Sequence, residues 1–156
     1  MSVLTLAPLF RDHAVLQRDQ TVPVWGRATP GERITISFRD QNVSTTTDID
    51  GRWIVSLDPL SASAEPAELT ATGNTTIVLR DVLVGEVWLA TGQSNMSRPI
   101  SSLPDAKAVL AQIDHPLIRH LNVALTTADA PADCVETSGW LSATPETAED
   151  LSAIAW

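Results

Sequence analysis

An amide, a hydroxyl and a second amide stand in a row at Gln93-Ser94-Asn95, between Gly92 and Met96. A serine hydroxyl attacks a carbonyl when it is exposed and aimed, and a backbone N–H beside it can hold the oxyanion that forms. The residues just upstream, Val87-Trp88-Leu89-Ala90, carry no polar break. That predicts a strand buried on both faces, as in a parallel sheet. Gly92 then permits a sharp turn. This order would set Ser94 at the carboxyl edge of a sheet, where open α/β folds hold their ligands. Ser94 is therefore the candidate nucleophile. Gln93 and Asn95 either hydrogen-bond an acyl group, a substrate hydroxyl or the oxyanion, or satisfy the backbone of the turn. The competing reading is a plain strand-end turn with a capping serine.

Around this stretch the chain must supply a scaffold. It has 156 residues, 44% hydrophobic and 19% charged, which suits a folded core and argues against disorder. Ten prolines and seven glycines punctuate it, and Thr and Val are frequent, so strands and turns outweigh long helices. The net charge of −9, with Lys107 the one lysine, argues against nucleic acid and anionic membrane as partners. Cys134 is the single cysteine, so no intrachain disulfide and no thiolate zinc site can form. Met1 to Pro8 lacks the basic and apolar regions of a signal peptide. No run approaches the ~20 apolar residues of a membrane span. The chain as given reads as cytoplasmic, or as periplasmic or secreted if a signal has been removed.

Residues 1 to about 80 read as short strands between turn signals. Val3–Leu6 is a short strand, and Leu9–Arg18 a loop leading into another. Pro23 gives Val22–Gly26 an edge position. Arg33–Arg39 alternates, with Ile34, Ile36 and Phe38 on one face. A hairpin loop at Asp40-Gln41-Asn42 leads into Val43–Thr47, and Asp48-Ile49-Asp50-Gly51 turns into a strand that shares Trp53, Val55 and Leu57 on a face. Pro59–Pro66 is a loop. Glu68–Ala71 and Thr76–Leu79 form a last pair. Strands at this spacing predict a β-sandwich over 1–82.

Past Ser94, Ser102-Leu103-Pro104 opens a predicted helix with Ala106, Val109, Leu110 and Ile113 on its apolar face, ending near Asp114-His115-Pro116. Leu117–Leu125 is a strand with Ile118 and Val123 toward the core. Thr126–Ser138 is a loop. Thr144 and Pro145 then start a second amphipathic helix bearing Leu151, Ile154 and Ala155. These pieces do not close an α/β domain, since a lone parallel pair leaves its apolar surface uncovered. The expected fold is a β-sandwich, 1–82, followed by the first elements of a truncated α/β domain, 83–156, and the chain reads as an amino-terminal fragment or a truncated product.

The motif itself narrows the class. The Gly-x-Ser-x-Gly elbow of α/β-hydrolases fails here, because Met96 occupies the second glycine position. Gly92-Gln93-Ser94-Asn95-Met96 instead resembles the first motif block of the GDSL-like, or SGNH, hydrolases, whose domain is flavodoxin-like. With Val84-Gly85-Glu86-Val87-Trp88-Leu89 before it, the stretch is similar to the sialate O-acetylesterase family. Dispersed pieces carry the same resemblance in order: Leu9-Phe10, Asp12-His13, Val15-Leu16-Gln17-Arg18, Val22-Pro23-Val24-Trp25-Gly26, Pro30-Gly31-Glu32, Asp50-Gly51-Arg52-Trp53, and Trp140 with Ser142 to Thr147. Where the family usually has an acidic residue and an aromatic, this chain has Ser97 and Arg98.

The resemblance implies hydrolysis of an O-acetyl ester on a sugar, typically sialic acid, with no metal or other cofactor. Ser94 would attack, a histidine would take its proton and an aspartate would orient that histidine. The family's late Asp-x-x-His or Asp-x-His element and its Gly-x-Asn block are both missing from this chain. The three histidines read as structural: His13 as a hydrogen-bonding residue, His115 at a helix end, His120 at a strand edge or facing solvent. Arg98 reads as a solvated surface residue, with a sialate carboxylate as its functional alternative. Asp48–Gly51 reads as a β-turn and not a calcium loop. Trp25 and Trp53 read as core and not as a sugar platform. The alternative for the whole chain is a non-catalytic β-sandwich module that binds carbohydrate or a partner.

Overall fold

Alternating apolar residues become strands wherever a second apolar face is available to cover them. The computed structural model describes residues 3–130 and 134–156. The chain is mostly β-strand with few helices. Its first strands are β1 (Thr5–Leu6), β2 (Val15–Gln17), β3 (Val22–Arg27), β4 (Arg33–Phe38), β5 (Gln41–Thr46), β6 (Arg52–Leu57), β7 (Ser63–Thr72) and β8 (Thr76–Gly85). They form a three-stranded sheet in the order β1-β3-β6 and a five-stranded sheet in the order β2-β8-β7-β4-β5.

Ile34, Ile36 and Phe38 of β4 are fully buried, and Trp53, Val55 and Leu57 of β6 are buried with them in one cluster. That cluster draws on both sheets, with Val24, Leu69 and Val82 among its members. Phe38 opposite Gln41 closes the β4–β5 hairpin over Arg39 and Asp40. Pro23 occupies a strand that is central in order but single-neighboured in practice. Opposite β3, β1 reaches only Arg27 and Gly26, so Pro23 pairs with Ser56 alone and removes no ladder bond. The last pair is longer than its sequence signals. β7 starts at Ser63, inside the expected loop, and register shifts flank Ala67, where Pro66 has no N–H to give. β8 continues to Gly85 because Val82, Leu83 and Val84 are buried and β2 pairs parallel to it, Val15 opposite Leu83.

The expected buried strand at 87–90 does not form. β8 ends at Gly85, and no strand covers 86–92. Trp88 and Leu89 are 86% and 87% exposed. A doubly buried strand needs hydrogen-bonding neighbours and a layer over each face, and the described residues supply neither. The predicted helix after Pro104 shrinks to α1 (Ala106–Leu110), with Ile113 still buried beyond it. β9 (His115–Val123) and β10 (Thr137–Ala143) pair in a separate two-stranded sheet. Within β9 the buried residue is His120, whereas Ile118 and Val123 are exposed. The second amphipathic helix is also absent. Residues 144–155 make turns and one 3-10 turn, Ala148–Asp150. Thr147 Oγ1 accepts from Thr144 N–H at 3.0 Å and Thr144 Oγ1 donates to Glu146 at 2.8 Å, so side chains take bonds that a helix start would use. Leu151 is buried and Ile154 exposed, which leaves no continuous apolar face.

The chain divides into two compact units, Met1–Val87 with Val123–Gly139 and Trp88–Asn122 with Trp140–Trp156. The first holds the two sheets and their shared core. The second holds a small core of Ile100, Ile113, Ala143, Ala148 and Leu151, with Leu103, Val109 and Leu110 packed against it.

Candidate active site

Ser94 opens a 3-10 turn, Ser94–Ser97. Gln93 precedes it in extended backbone, with φ −106° and ψ −166°. The turn closes on its own backbone. Met96 N–H donates to the Gln93 carbonyl at 2.8 Å and Arg98 N–H to the Asn95 carbonyl at 3.2 Å. The N–H groups of Ser94 and Asn95 donate to no described residue, as expected at the first positions of a helical turn. The side chains of Gln93, Ser94 and Asn95 are exposed, and none makes a hydrogen bond among the described residues. The two amides therefore do not serve the turn that holds them, and the serine hydroxyl is open to a ligand.

The downstream end of the turn is fixed. Ile100 N–H donates to the Leu151 carbonyl at 2.9 Å, Ala153 N–H to the Arg98 carbonyl at 2.9 Å, and Pro99 bridges to Ser152. Ser152 Oγ also donates to Met96 Sδ at 3.6 Å. Buried Ile100 anchors this stretch in the small core. Arg98 is exposed and donates through Nε to Ser102 Oγ at 3.2 Å, which in turn donates to the Pro99 carbonyl at 2.8 Å. Gly92 does not use its special freedom. A Cβ there would meet only Met96 at 3.6 Å, ordinary contact, and its φ lies outside the left-handed region.

None of the three histidines bonds to Ser94. His13 Nδ1 lies 2.6 Å from Asp81 Oδ2, and both residues have positive φ, 67° and 56°. Beside them Asp12 Oδ1 accepts from Arg80 N–H at 2.7 Å. His13 is thus a hydrogen-bonding residue of the strand connections. His115 opens β9 well past the end of α1, so no helix terminus explains it; its ring lies 5.7 Å from that of Trp156. His120 is 8% exposed, against the expectation of an edge or solvent position. Neither of its ring nitrogens has a hydrogen-bond partner among the described residues. Burial lowers its pKa below the ordinary histidine value, while the charge of Asp150 and the Thr147 backbone pull the other way.

Other candidates resolve simply. Asp48 Oδ1 accepts from Asp50 N–H and Arg52 N–H, so its carboxylate serves the turn. Trp53 is buried in the core, and Trp25 is half-buried against it, its ring 4.9 Å from that of Phe10 at a near-perpendicular angle. Cys134 is exposed and free. Among the described residues no three His, Cys, Asp or Glu side chains gather as a metal site would require, and no helix is long and apolar enough to cross a membrane.

One residue escaped the sequence reading of the site. Gln17 Oε1 accepts from Val87 N–H at 2.8 Å, and its Nε2 donates to Glu86 Oε2 at 3.1 Å. This amide continues the β2–β8 ladder by one step and holds the chain just before the serine stretch. Its only signal was its place in Val15-Leu16-Gln17-Arg18, where a polar residue ends a strand.

No family model matches the chain. It is 30% identical over 135 residues to the sialate O-acetylesterase of Mus musculus, across 78% of this chain and 25% of that protein. It is 31% identical over 117 residues to the sialate O-acetylesterase of Homo sapiens, across 67% of this chain and 22% of that one. The chain thus spans about a quarter of the length of the curated relatives it matches. A crystal structure of a carbohydrate acetylesterase from Xanthomonas citri superposes with a TM-score of 0.92 and 35% identity, covering 97% of this chain and 35% of that chain.

Proposed function

The chain belongs to the sialate O-acetylesterase family, matching its amino-terminal portion, and from that premise we propose that Ser94 is the nucleophile of a serine carbohydrate esterase. The substrate class is an O-acetyl ester of sialic acid or a related sugar. In this reading residues 1–82 are a β-sandwich and 83–156 the amino-terminal part of an SGNH-type domain.

The chemistry follows the serine-hydrolase pattern. Ser94 Oγ attacks the acetyl carbonyl, and a histidine base accepts its proton. The oxyanion that forms is held by the Ser94 backbone N–H, with the Gln93 and Asn95 amides able to donate beside it. The sugar hydroxyl leaves with a proton from the histidine, and water then hydrolyses the acetyl-serine. His13 is engaged with Asp81, and neither His115 nor His120 bonds to Ser94, so the base and its aspartate are assigned to polypeptide beyond this chain. The observation that carries the reading is the exposed, unbonded Ser94 hydroxyl beside two free N–H groups, within Gly92–Met96.

The test is a chimera in which this chain replaces its counterpart in the Xanthomonas citri acetylesterase. It is expected to release acetate from an O-acetylated sugar, and Ser94→Ala is expected to lower kcat at least ~10³-fold. A folded chimera with activity indifferent to Ser94→Ala would refute the assignment. This chain alone is expected to hydrolyse acetyl esters at the background rate. Ser94-dependent turnover by the chain alone would show that it holds its own base.

A further inference from the structure

We infer that His120 and Asn122 are positioning residues for Ser94: from one face of β9 they hold residues 147–153, and those residues hold the 3-10 turn that carries the candidate nucleophile. This assignment rests on the proposed role of Ser94 and names what fixes that serine in place.

The contacts run through a single compact unit. His120 and Asn122 alternate along a strand, so their side chains share a face. Asn122 Nδ2 donates to the Asp150 carbonyl at 3.1 Å. The His120 ring is buried, and the Thr147 backbone and the Asp150 carboxylate both act on it. The same segment then reaches the turn. The Leu151 carbonyl accepts from Ile100 N–H, and Ala153 N–H donates to the Arg98 carbonyl, both at 2.9 Å. Between them Ser152 bridges to Pro99, and its Oγ donates to Met96 Sδ at 3.6 Å. Ala148 and Leu151 are buried with Ile100 in the small core. Met96 belongs to the 3-10 turn that Ser94 opens, so a shift of 147–153 moves the support on which the serine hydroxyl is aimed. A nucleophile misplaced by about 1 Å can lose about 10²-fold in rate.

His120 makes this hold conditional. Neither ring nitrogen has a hydrogen-bond partner among the described residues. A neutral ring there packs much as an apolar group does, whereas a protonated ring is a buried charge with two unsatisfied donors. β10, which pairs with β9, carries no titratable side chain. The 144–150 stretch brings Glu146, Glu149 and Asp150. Glu146 accepts from Thr144 Oγ1, and the charge of Asp150 favours a proton on the ring. His115 and Arg119 lie on β9 itself, and Asp105, Lys107 and Asp114 lie on or beside α1. Burial outweighs Asp150, so the ring stays neutral to below the ordinary histidine value. As pH falls through that lowered value, the segment loses its seat on β9 and the turn loses its support.

Amide exchange on this chain tests the hold without reference to catalysis. The N–H groups of Ile100 and Ala153 join the segment to the turn. At neutral pH they should exchange at least about tenfold faster in Asn122→Ala than in the parent, with β4 and β6 unchanged. Asn122→Gln, which keeps a donor, should restore part of that protection. From about pH 8 to about pH 4 the parent should lose protection at these two groups, after correction for the intrinsic rate, while His120→Leu should keep it. The chimera with the Xanthomonas citri acetylesterase reads the consequence. There Asn122→Ala should lower kcat about tenfold and leave KM within about twofold, and His120→Leu should hold kcat to lower pH than the parent. The inference is overturned if exchange at Ile100 and Ala153 ignores both Asn122→Ala and His120→Leu. It is also overturned if Ser94→Ala abolishes turnover while neither substitution changes kcat or its pH profile. Turnover indifferent to Ser94→Ala refutes the nucleophile instead, and the exchange pattern then decides on the hold by itself.

Discussion

One oxygen of Asp48 holds the turn before β6, accepting from Asp50 N–H at 2.9 Å and Arg52 N–H at 2.8 Å. Asp48→Ala removes both bonds and should cost about 1–2 kcal/mol, read as a lower urea midpoint with an unchanged slope. His120 makes a different kind of prediction. Its neutral form suits the buried site, so its pKa in the fold is lowered. As pH falls below the ordinary histidine value, the unfolded chain takes up a proton that the folded one resists, and stability declines. The contribution is fully present above the unfolded pKa and is lost as pH falls toward the lowered one. His120→Leu should flatten that acid-side decline and leave stability at neutral pH equal or higher, because an unpartnered buried polar ring is replaced by an apolar one. Unfolding titrations from about pH 4 to about pH 8, which bracket the ordinary histidine value of ~6.5, would show it. An unchanged slope would mean that His120 is not the responsible group.

At the scale of elements, β1 depends on the absence of a side chain. A Cβ on Gly26 would collide with the Thr5 carbonyl oxygen and lie 2.8 Å from the Trp53 ring. Backbone cannot yield as a flexible side chain can, so Gly26→Ala must displace β1 or shift β3 against β6. We expect a loss of about 1–3 kcal/mol, seen as a lower Tm, with faster amide exchange in β1 and β3. The candidate site shows the reverse. Gly92 has no close neighbour and no left-handed φ, so Gly92→Ala should leave Tm within about 2 °C, an effect below ~0.5 kcal/mol. A glycine in a motif is not by itself a glycine under conformational demand.

The two compact units differ greatly in how much apolar surface they bury. The core shared by the two sheets gathers side chains from β2, β3, β4, β6, β7 and β8. The unit that carries Ser94 has five buried hydrophobic residues at its centre and one short α-helix. Stability follows burial, so hydrogen exchange should be slowest in β4 and β6 and markedly faster throughout Trp88–Asn122 and Trp140–Trp156. Equal protection in both would contradict this ranking. Ser94, the candidate nucleophile, sits on the less protected of the two units.

The sequence by itself determined the family and the strand-rich first half. Those readings rest on local facts: the alternation of Ile34, Ile36 and Phe38, the turn at Asp48–Gly51, and the order of residues from Gly92 to Met96. Each is decided within a few residues, so periodicity and turn chemistry suffice. Only the tertiary structure decided what depends on distant partners. It extended β7 and β8 through pairing with one another and with β2. It buried His120 and left Ile118 and Val123 in water, because what packs on a strand chooses its inner face. It left Trp88–Ala90 without hydrogen-bonding neighbours among the described residues, because an apolar run announces only that burial is favourable, and a strand forms where another chain segment offers the hydrogen bonds and the cover.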